Sequence, residues 1–200
     1  MTNKNNATLK LTQIALLGAL IVLMALTPLG YLKIGPLSIT FLTVPVVIGA
    51  NLIGPAGGAV LGGIFGLTSF FQCLGVDQFG VALFSINPFY TAVVCIIPRI
   101  LIGVFSGLLY KALDKTNTHP AVSYALSGLL GTVTNTVFFV GGLILLFGNT
   151  EYIKTSLGDS AWKVISVLVT TNSLIEMIVC TILITAVSRA CVEIMRRRGK

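Results

Sequence analysis

The sequence predicts an all-α integral membrane protein, a bundle of six transmembrane helices with both termini cytoplasmic. Composition carries the first part of this prediction, since 55% of the 200 residues are hydrophobic and 10% are charged, and the mean hydropathy is +0.97. A soluble domain carries roughly a quarter charged residues. The apolar surface therefore belongs in lipid, and residues 1–200 are expected to form a single membrane domain.

Six apolar segments approach the length of about 20 residues that a helix needs to cross the hydrocarbon layer. The first ends near Pro28, the second ends at Gly54, and the fourth begins at Asn87. The predicted helices cover residues 11–29, 39–53, 56–71, 87–113, 121–147 and 161–194.

The lysines and arginines fix the orientation, because cytoplasmic segments carry the excess of positive charge. With the N-terminus inside, the outer segments carry Lys33, Lys154 and Lys163. The inner segments carry Lys4, Lys10, Lys111, Lys115, Arg189, Arg196, Arg197, Arg198 and Lys200. Membrane topology thus accounts for the net charge of +7, and no nucleic-acid partner is expected.

Two charges of opposite sign, Arg99 and Glu176, lie deep in predicted helices four and six. Arg99 lies about eleven residues, or ~16 Å, from the outer end of its helix. Ionisable groups at membrane depth usually face the protein interior and mark function. Two compatible interpretations stay open: a structural ion pair that joins two helices, and a ligand contact in which Arg99 holds a carboxylate.

Polar residues accumulate around this pair. Asn87 and Tyr90 stand at the outer start of helix four, Asn135 lies in the middle of helix five, and Asn172 shares a helix face with Glu176. Any single asparagine could join two helices, but a cavity also satisfies buried amides. Together with long outer connections over residues 72–87 and 148–160, typical of a lidded site, these residues predict an outward-facing binding pocket.

Small residues recur four positions apart in two helices, a spacing that lets helix backbones approach closely. Helix one carries Ala15 and Ala19. Helix three carries Gly54, Gly58, Gly62 and Gly66. Packing within this chain is the favoured interpretation of the glycines, and contact with a partner subunit is the alternative.

The sequence contains no motif for catalysis. It has no GxxxxGK[ST] phosphate loop and no HExxH, and its single histidine, His119, falls in an inner loop. The four cysteines form no CxxC pair, so neither a metal site nor a disulfide framework is expected. The inner halves of the helices are too apolar for a channel. The chain is expected not to be an enzyme, and a pocket without an energy source implies a partner that supplies the energy.

The chain resembles the substrate-binding (S) components of energy-coupling-factor (ECF) vitamin transporters. The resemblance lies in the AxxxA signature at Ala15–Ala19, the glycine-rich segment 34–66, similar to helices two and three of the folate, pantothenate and riboflavin branch, and the segment 87–113, similar to their fourth helix. It implies a protein of a bacterial cell membrane that binds a vitamin tightly through helices four to six and the outer loops.

The resemblance also implies partners. Helices one to three, with Ala15 and Ala19, dock on a transmembrane coupling subunit tied to two ATPase subunits. ATP and Mg belong to those ATPases, so no cofactor is expected in this chain. The candidate substrate contacts come from the pattern of polar residues and not from the resemblance. They are Asn87, Tyr90, Arg99, Asn135, Asn172 and Glu176, with Gln72 and Gln78 as possible lid contacts.

The expected substrate is pantothenate, because Arg99 with several amides and hydroxyls suits a small polar anion. Folate or riboflavin would favour aromatic stacking surfaces, which the pocket helices offer sparsely, so these and other vitamins are alternatives. A different class of protein, a membrane scaffold or assembly factor with a purely structural Arg99–Glu176 pair, would bind no small molecule.

Overall fold

The computed structural model of the protein describes residues 2–27, 30–34, 37–116, 118–157 and 174–198. These residues form eight helices and one β-hairpin. In chain order the elements are α1 (Thr2–Leu26), β1 (Tyr31–Ile34), β2 (Leu37–Thr40), α2 (Thr43–Ile53), α3 (Pro55–Gln72), α4 (Gln78–Ile86), α5 (Pro88–Lys115), α6 (Pro120–Phe147), α7 (Glu151–Leu157) and α8 (Leu174–Arg198).

Each predicted apolar segment overlaps one of these helices, with three differences. Residues 39 and 40 belong to strand β2, because Leu37–Thr40 pairs in antiparallel register with β1 and α2 begins at Thr43. The two connections that were predicted to face outward contain the short helices α4 and α7, where loops were expected. Residues 161–173 of the sixth predicted helix lie outside the described residues, and α8 covers its remainder.

The chain is a membrane protein. Three stretches of the described helices are long and apolar enough to cross a bilayer: Ala7–Leu26 in α1, Pro88–Lys115 in α5 and Pro120–Phe147 in α6. Helix α2 is apolar but shorter, with 11 residues. At 1.5 Å per residue it extends only about 16 Å along its axis, about half of the hydrocarbon thickness.

Helices α3 and α5 meet backbone to backbone along one stripe of glycines, Gly58, Gly62 and Gly66, which we call the glycine interface. A Cβ on Gly58 would lie 2.6 Å from the Gly103 carbonyl oxygen, one on Gly62 would overlap the Arg99 carbonyl oxygen, and one on Gly66 would lie 2.8 Å from the Ile96 Cα. Packing within the chain, the favoured interpretation of this stripe, is confirmed. Gly54 serves a different purpose, since its φ of 103° forms the turn between α2 and α3.

Two apolar clusters flank this interface. One joins α1, α2, α3, α5 and α8 through side chains such as Ile21, Ile102 and Ile184. The other joins α4, α5, α6 and α7 through Leu83, Leu143 and other side chains. Between the clusters, α5 packs against both α3 and α6, and α6 packs against α8. The two deep charges of the sequence lie on α5 and α8.

Candidate functional site

Arg99 is held by a backbone carbonyl of α5 that the adjacent Pro98 leaves without its usual hydrogen bond. Pro98 lies inside the helix and has no N–H, so the Val94 carbonyl lacks the hydrogen bond that residue 98 would otherwise donate. The Arg99 side chain turns back along the helix, and its Nη1 donates to this carbonyl at 2.8 Å. The dipeptide Pro98-Arg99 therefore both frees the acceptor and supplies its donor.

Two aromatic rings pack near the Arg99 guanidinium. Its Cζ lies 5.5 Å from the centroid of the Phe65 ring on α3 and 4.8 Å from that of Phe139 on α6. Such cation–π contacts stabilise a desolvated guanidinium. The side chain is 8% exposed, and its Nε has no hydrogen-bond partner among the described residues. An unused charged donor is thus held in a buried, aromatic setting.

Unused acceptors lie near this donor. Glu176 and Asn135 are each 7% exposed, and the Glu176 carboxyl lies close to the Thr40 backbone and the Asn135 side chain, within electrostatic range of Arg99. Glu176 Oε1 and Asn135 Oδ1 have no hydrogen-bond partner in the described part of the chain. The structure therefore brings together three of the residues that the sequence predicts, Arg99, Asn135 and Glu176.

This arrangement suits a small polar ligand. A buried polar group left without a partner is unfavourable by about 1–3 kcal/mol, and more if it is charged. Arg99, Glu176 and Asn135 each leave such a group open, so a molecule with an anionic group and hydrogen-bond donors would satisfy several of them at once. Arg99 Nε and Glu176 Oε1 both lack a partner among the described residues, so these two atoms do not bond to each other.

The hairpin contributes residues that the sequence analysis missed. Tyr31 and Thr40 pair at its base, and the Tyr31 hydroxyl is buried, without a partner among the described residues, and within electrostatic range of Arg99. Apolar and polar residues that alternate on both sides of Gly35-Pro36 are a sequence signal for such a hairpin. Phe65 was also missed, because no sequence signal reveals which α3 side chain lies opposite Arg99. We call the residues described so far the Arg99 cluster: Tyr31, Thr40, Phe65, Arg99, Asn135, Phe139 and Glu176.

Asn87 and Tyr90 lie apart from this cluster, about 14–18 Å along the axis of α5 from Arg99. Asn87 caps the helix, since its Oδ1 accepts from the Phe89 and Tyr90 backbone N–H groups at 3.0 and 3.1 Å. The Tyr90 side chain is 39% exposed and meets the Phe147 ring edge-on. Their local contacts explain both residues without a ligand.

The remaining predicted residues are spread over the molecule. Gln72 Nε2 donates to the Ala25 carbonyl at 2.6 Å, which ties the end of α3 to α1. Gln78 is exposed in the first turn of α4. Asn172 lies outside the described residues. Ala15 and Ala19 are both exposed on α1, and we call this surface the alanine face.

One concavity of the described residues is lined by none of the residues around Arg99. It is a groove of about 670 Å³ between α1, α2 and α8, lined mainly by apolar side chains such as Leu17, Leu20, Ile48 and Leu183. None of the described residues that line it is charged. The groove therefore lacks the groups that would recognise a polar anion, and the Arg99 cluster is the better candidate for a ligand site.

Comparison with known proteins identifies the family of the chain. The model of the family "ECF transporter, substrate-specific component" matches residues 9–188. The chain belongs to this family. It is 34% identical over 163 residues to the pantothenic acid transporter PanT of Lactococcus lactis subsp. cremoris, covering 76% of each chain. It is also 30% identical over 205 residues to the pantothenate transporter PanT of Leuconostoc mesenteroides subsp. mesenteroides, covering 98% of each chain.

Membership of the ECF family gives the Arg99 cluster its context. A substrate-specific component binds the transported molecule, so a buried site with open donors and acceptors is expected within it. The family match includes every described residue of the cluster, from Tyr31 to Glu176. The recognition of the ECF family from the sequence is confirmed.

Proposed function

We propose that this protein is the pantothenate-binding subunit of an ECF importer and that the Arg99 cluster is its binding site. The observation that carries the proposal is the Arg99 guanidinium, buried beside two aromatic rings with its Nε open. Pantothenate has one carboxylate, one amide and two hydroxyls. The names of two relatives at 34% and 30% identity support the choice of this vitamin.

The roles follow from the chemistry of each group. The open edge of Arg99 binds the carboxylate, because a charge-assisted hydrogen bond in a dry site is about twice as strong as a neutral one. Glu176 Oε1 and Asn135 Oδ1 accept hydrogen bonds from the hydroxyls and the amide N–H. Phe65 and Phe139 cover the apolar parts of the molecule. Asn172, outside the described residues, and Gln72, Gln78, Asn87 and Tyr90 stay candidate contacts.

The remaining parts of the proposal concern the assembly. Six transmembrane helices with both termini cytoplasmic place the Arg99 cluster in the outer half of a bacterial cell membrane. The protein docks through the alanine face, Ala15 and Ala19, on a transmembrane coupling subunit, and two ATPase subunits bind ATP and Mg and hydrolyse ATP. This chain then contributes binding alone. Folate, riboflavin and other vitamins are the alternative substrates.

The experiment compares pantothenate with pantothenol, its neutral analogue in which an alcohol replaces the carboxylate. Calorimetry on the detergent-purified protein should give tight binding of pantothenate and binding of pantothenol weaker by about 10- to 100-fold, the equivalent of about 1.5–3 kcal/mol for a hydrogen bond to a charge. In Arg99→Gln the two affinities should converge. Arg189→Gln removes an exposed arginine of α8 and should leave both affinities unchanged.

Two results would oppose the proposal. If wild type binds both compounds equally, Arg99 does not read the carboxylate. If folate or riboflavin binds tightly and pantothenate does not, the substrate is wrong while the transporter class stands. Absence of any vitamin binding by a folded, thermally stable sample would favour the scaffold protein, in which Arg99 and Glu176 serve structure alone.

A further inference from the structure

The fold brings two cysteines together that lie 22 positions apart in the sequence. Cys73 follows the last residue of α3, and Cys95 lies in the second turn of α5. Their Sγ atoms are 3.7 Å apart, and each residue is 5% exposed. Both are free thiols. By contrast, the Cys180 thiol faces the Thr40 carbonyl.

The geometry allows the two sulfurs to bond after a small movement. A disulfide needs about 2.05 Å between sulfurs, so they must approach by about 1.7 Å. Cys95 is held within α5, whereas Cys73 begins the short turn between α3 and α4, where the chain can adjust. Gly80 of α4 presents no side chain to the pair, since a Cβ there would lie 2.5 Å from Cys73 Sγ.

The pair also lies next to the candidate ligand site. Cys95 is four residues before Arg99, so both project from the same face of α5. The Arg99 charge lies within electrostatic range of both thiols. A disulfide between the two cysteines would tie the end of α3, the helix that carries Phe65, to the turn of α5 that precedes Arg99.

We propose that Cys73 and Cys95 form a reversible thiol–disulfide pair, an oxidative modification site that links α3 to α5. The oxidant is a small-molecule disulfide such as oxidised glutathione. One cysteine thiolate attacks it and releases one glutathione thiolate; the second cysteine thiolate then attacks the mixed disulfide and releases the other. The protein loses two thiol protons and two electrons, and two glutathione thiols form. On the proposed topology the pair lies in the outer half of the membrane, toward the oxidising side of the cell. Formation of the disulfide does not depend on ligand binding, so it can be tested separately from the proposed function.

The test is titration of the detergent-purified wild-type protein with oxidised glutathione, followed by intact mass, thiol counting and non-reducing peptide mapping. We expect two thiols per chain to disappear without attached glutathione, a linked peptide pair containing Cys73 and Cys95, and full recovery with dithiothreitol. Cys95→Ser should instead retain one glutathione or none. Cys191→Ser, which changes a half-exposed cysteine of α8, should still form the bond.

Three outcomes would overturn the inference. All four thiols could survive prolonged treatment while circular dichroism reports a folded sample. The wild type could accumulate glutathione on one cysteine without forming the internal bond. The linked peptides could contain Cys180 or Cys191. A substitution that prevents folding does not affect the conclusion, because the wild-type peptide map identifies the bonded residues directly.

Discussion

The glycine interface of α3 and the alanine face of α1 carry the same spacing of small residues, yet the structure uses them differently. The backbone of α5 occupies the space beside Gly58, Gly62 and Gly66, whereas Ala15 and Ala19 are exposed. Within the span Ala7–Leu26, 17% of the most apolar stretch is buried, compared with 44% for α5. A small residue every fourth position therefore predicts close helix approach without saying whether the second helix belongs to the same chain.

The difference separates two tasks of the molecule. The glycine interface fixes α3 and α5 at short range and so sets the positions of Phe65 and Arg99 in the candidate site. On α1, Ala15 and Ala19 are exposed, next to Leu16 and Leu20, which line an apolar groove between α1, α2 and α8. In the proposed function, the first region positions the binding site and the second is the docking surface.

The largest effect is expected where the glycine interface is broken. In Gly62→Ala the new Cβ overlaps the Arg99 carbonyl oxygen, so α3 and α5 must separate, and overpacking of this kind typically destabilises by about 1–3 kcal/mol. We expect a lower melting temperature and weaker pantothenate binding, measured by thermal melting and calorimetry in detergent.

The neighbouring glycine provides the matched control. A Cβ on Gly63 meets nothing within 4 Å, and alanine is favoured over glycine in a helix by roughly 0.5–1 kcal/mol. Gly63→Ala should therefore keep or raise the melting temperature and leave binding unchanged. Equal losses in the two variants would mean that the contact with α5 is not what the glycines are for.

Enlarging the alanine face should impair docking but not stability or ligand binding, the reverse of the effect expected at the glycine interface. Ala19→Leu adds bulk where docking of the coupling subunit is proposed, and a misfit of about 1–3 kcal/mol corresponds to a loss of roughly 5- to 150-fold in association. Stability and pantothenate binding of the isolated protein should not change, because Ala19 is exposed. The measurement is the amount of coupling subunit and ATPases that co-purify with a tagged chain.

A similar enlargement elsewhere tests whether any added bulk would act in this way. Gly141→Leu adds a side chain on α6, where a Cβ meets nothing within 4 Å, and it should leave co-purification intact. If Ala19→Leu retains its partners at the wild-type level, the alanine face is not the docking surface.

The two regions also show how far the sequence can be read. The apolar segments were predictable because membrane helices are long. The grouping of Arg99, Glu176 and Asn135 was predictable because charges inside a membrane protein are rare. The hairpin base at Tyr31 and Thr40 and the ring of Phe65 were not used in the prediction. Their part in the site depends on which residues of neighbouring elements lie opposite one another, and this register is fixed by close contacts such as Gly62 with Arg99.

A smaller effect is expected from the proline beside Arg99. In Pro98→Ala residue 98 regains its N–H and can bond the Val94 carbonyl, which competes with the Arg99 Nη1 bond of 2.8 Å. The melting temperature should stay the same or rise, while pantothenate affinity falls by about tenfold, the equivalent of roughly 1.4 kcal/mol, because the guanidinium is no longer held in place.

A double-mutant cycle checks that this loss passes through Arg99. In the Arg99→Gln background, Pro98→Ala should cause no further loss of affinity, since the group that it positions is already absent. Additive losses would instead mean that Pro98 shapes the site independently of Arg99, for example through the course of α5.

The smallest effect is expected at Asn87, which the sequence assigns to the substrate site and the structure shows as the cap of α5. Asn87→Ala removes the acceptor of the Phe89 and Tyr90 N–H groups and should destabilise by about 1 kcal/mol, a typical value for a lost cap, with no change in pantothenate affinity. Asn87→Ser preserves a capping oxygen and should restore most of the melting temperature. If Asn87→Ser is as stable as wild type but binds pantothenate more weakly, the asparagine contacts the ligand, and the binding site extends from the Arg99 cluster to the outer end of α5.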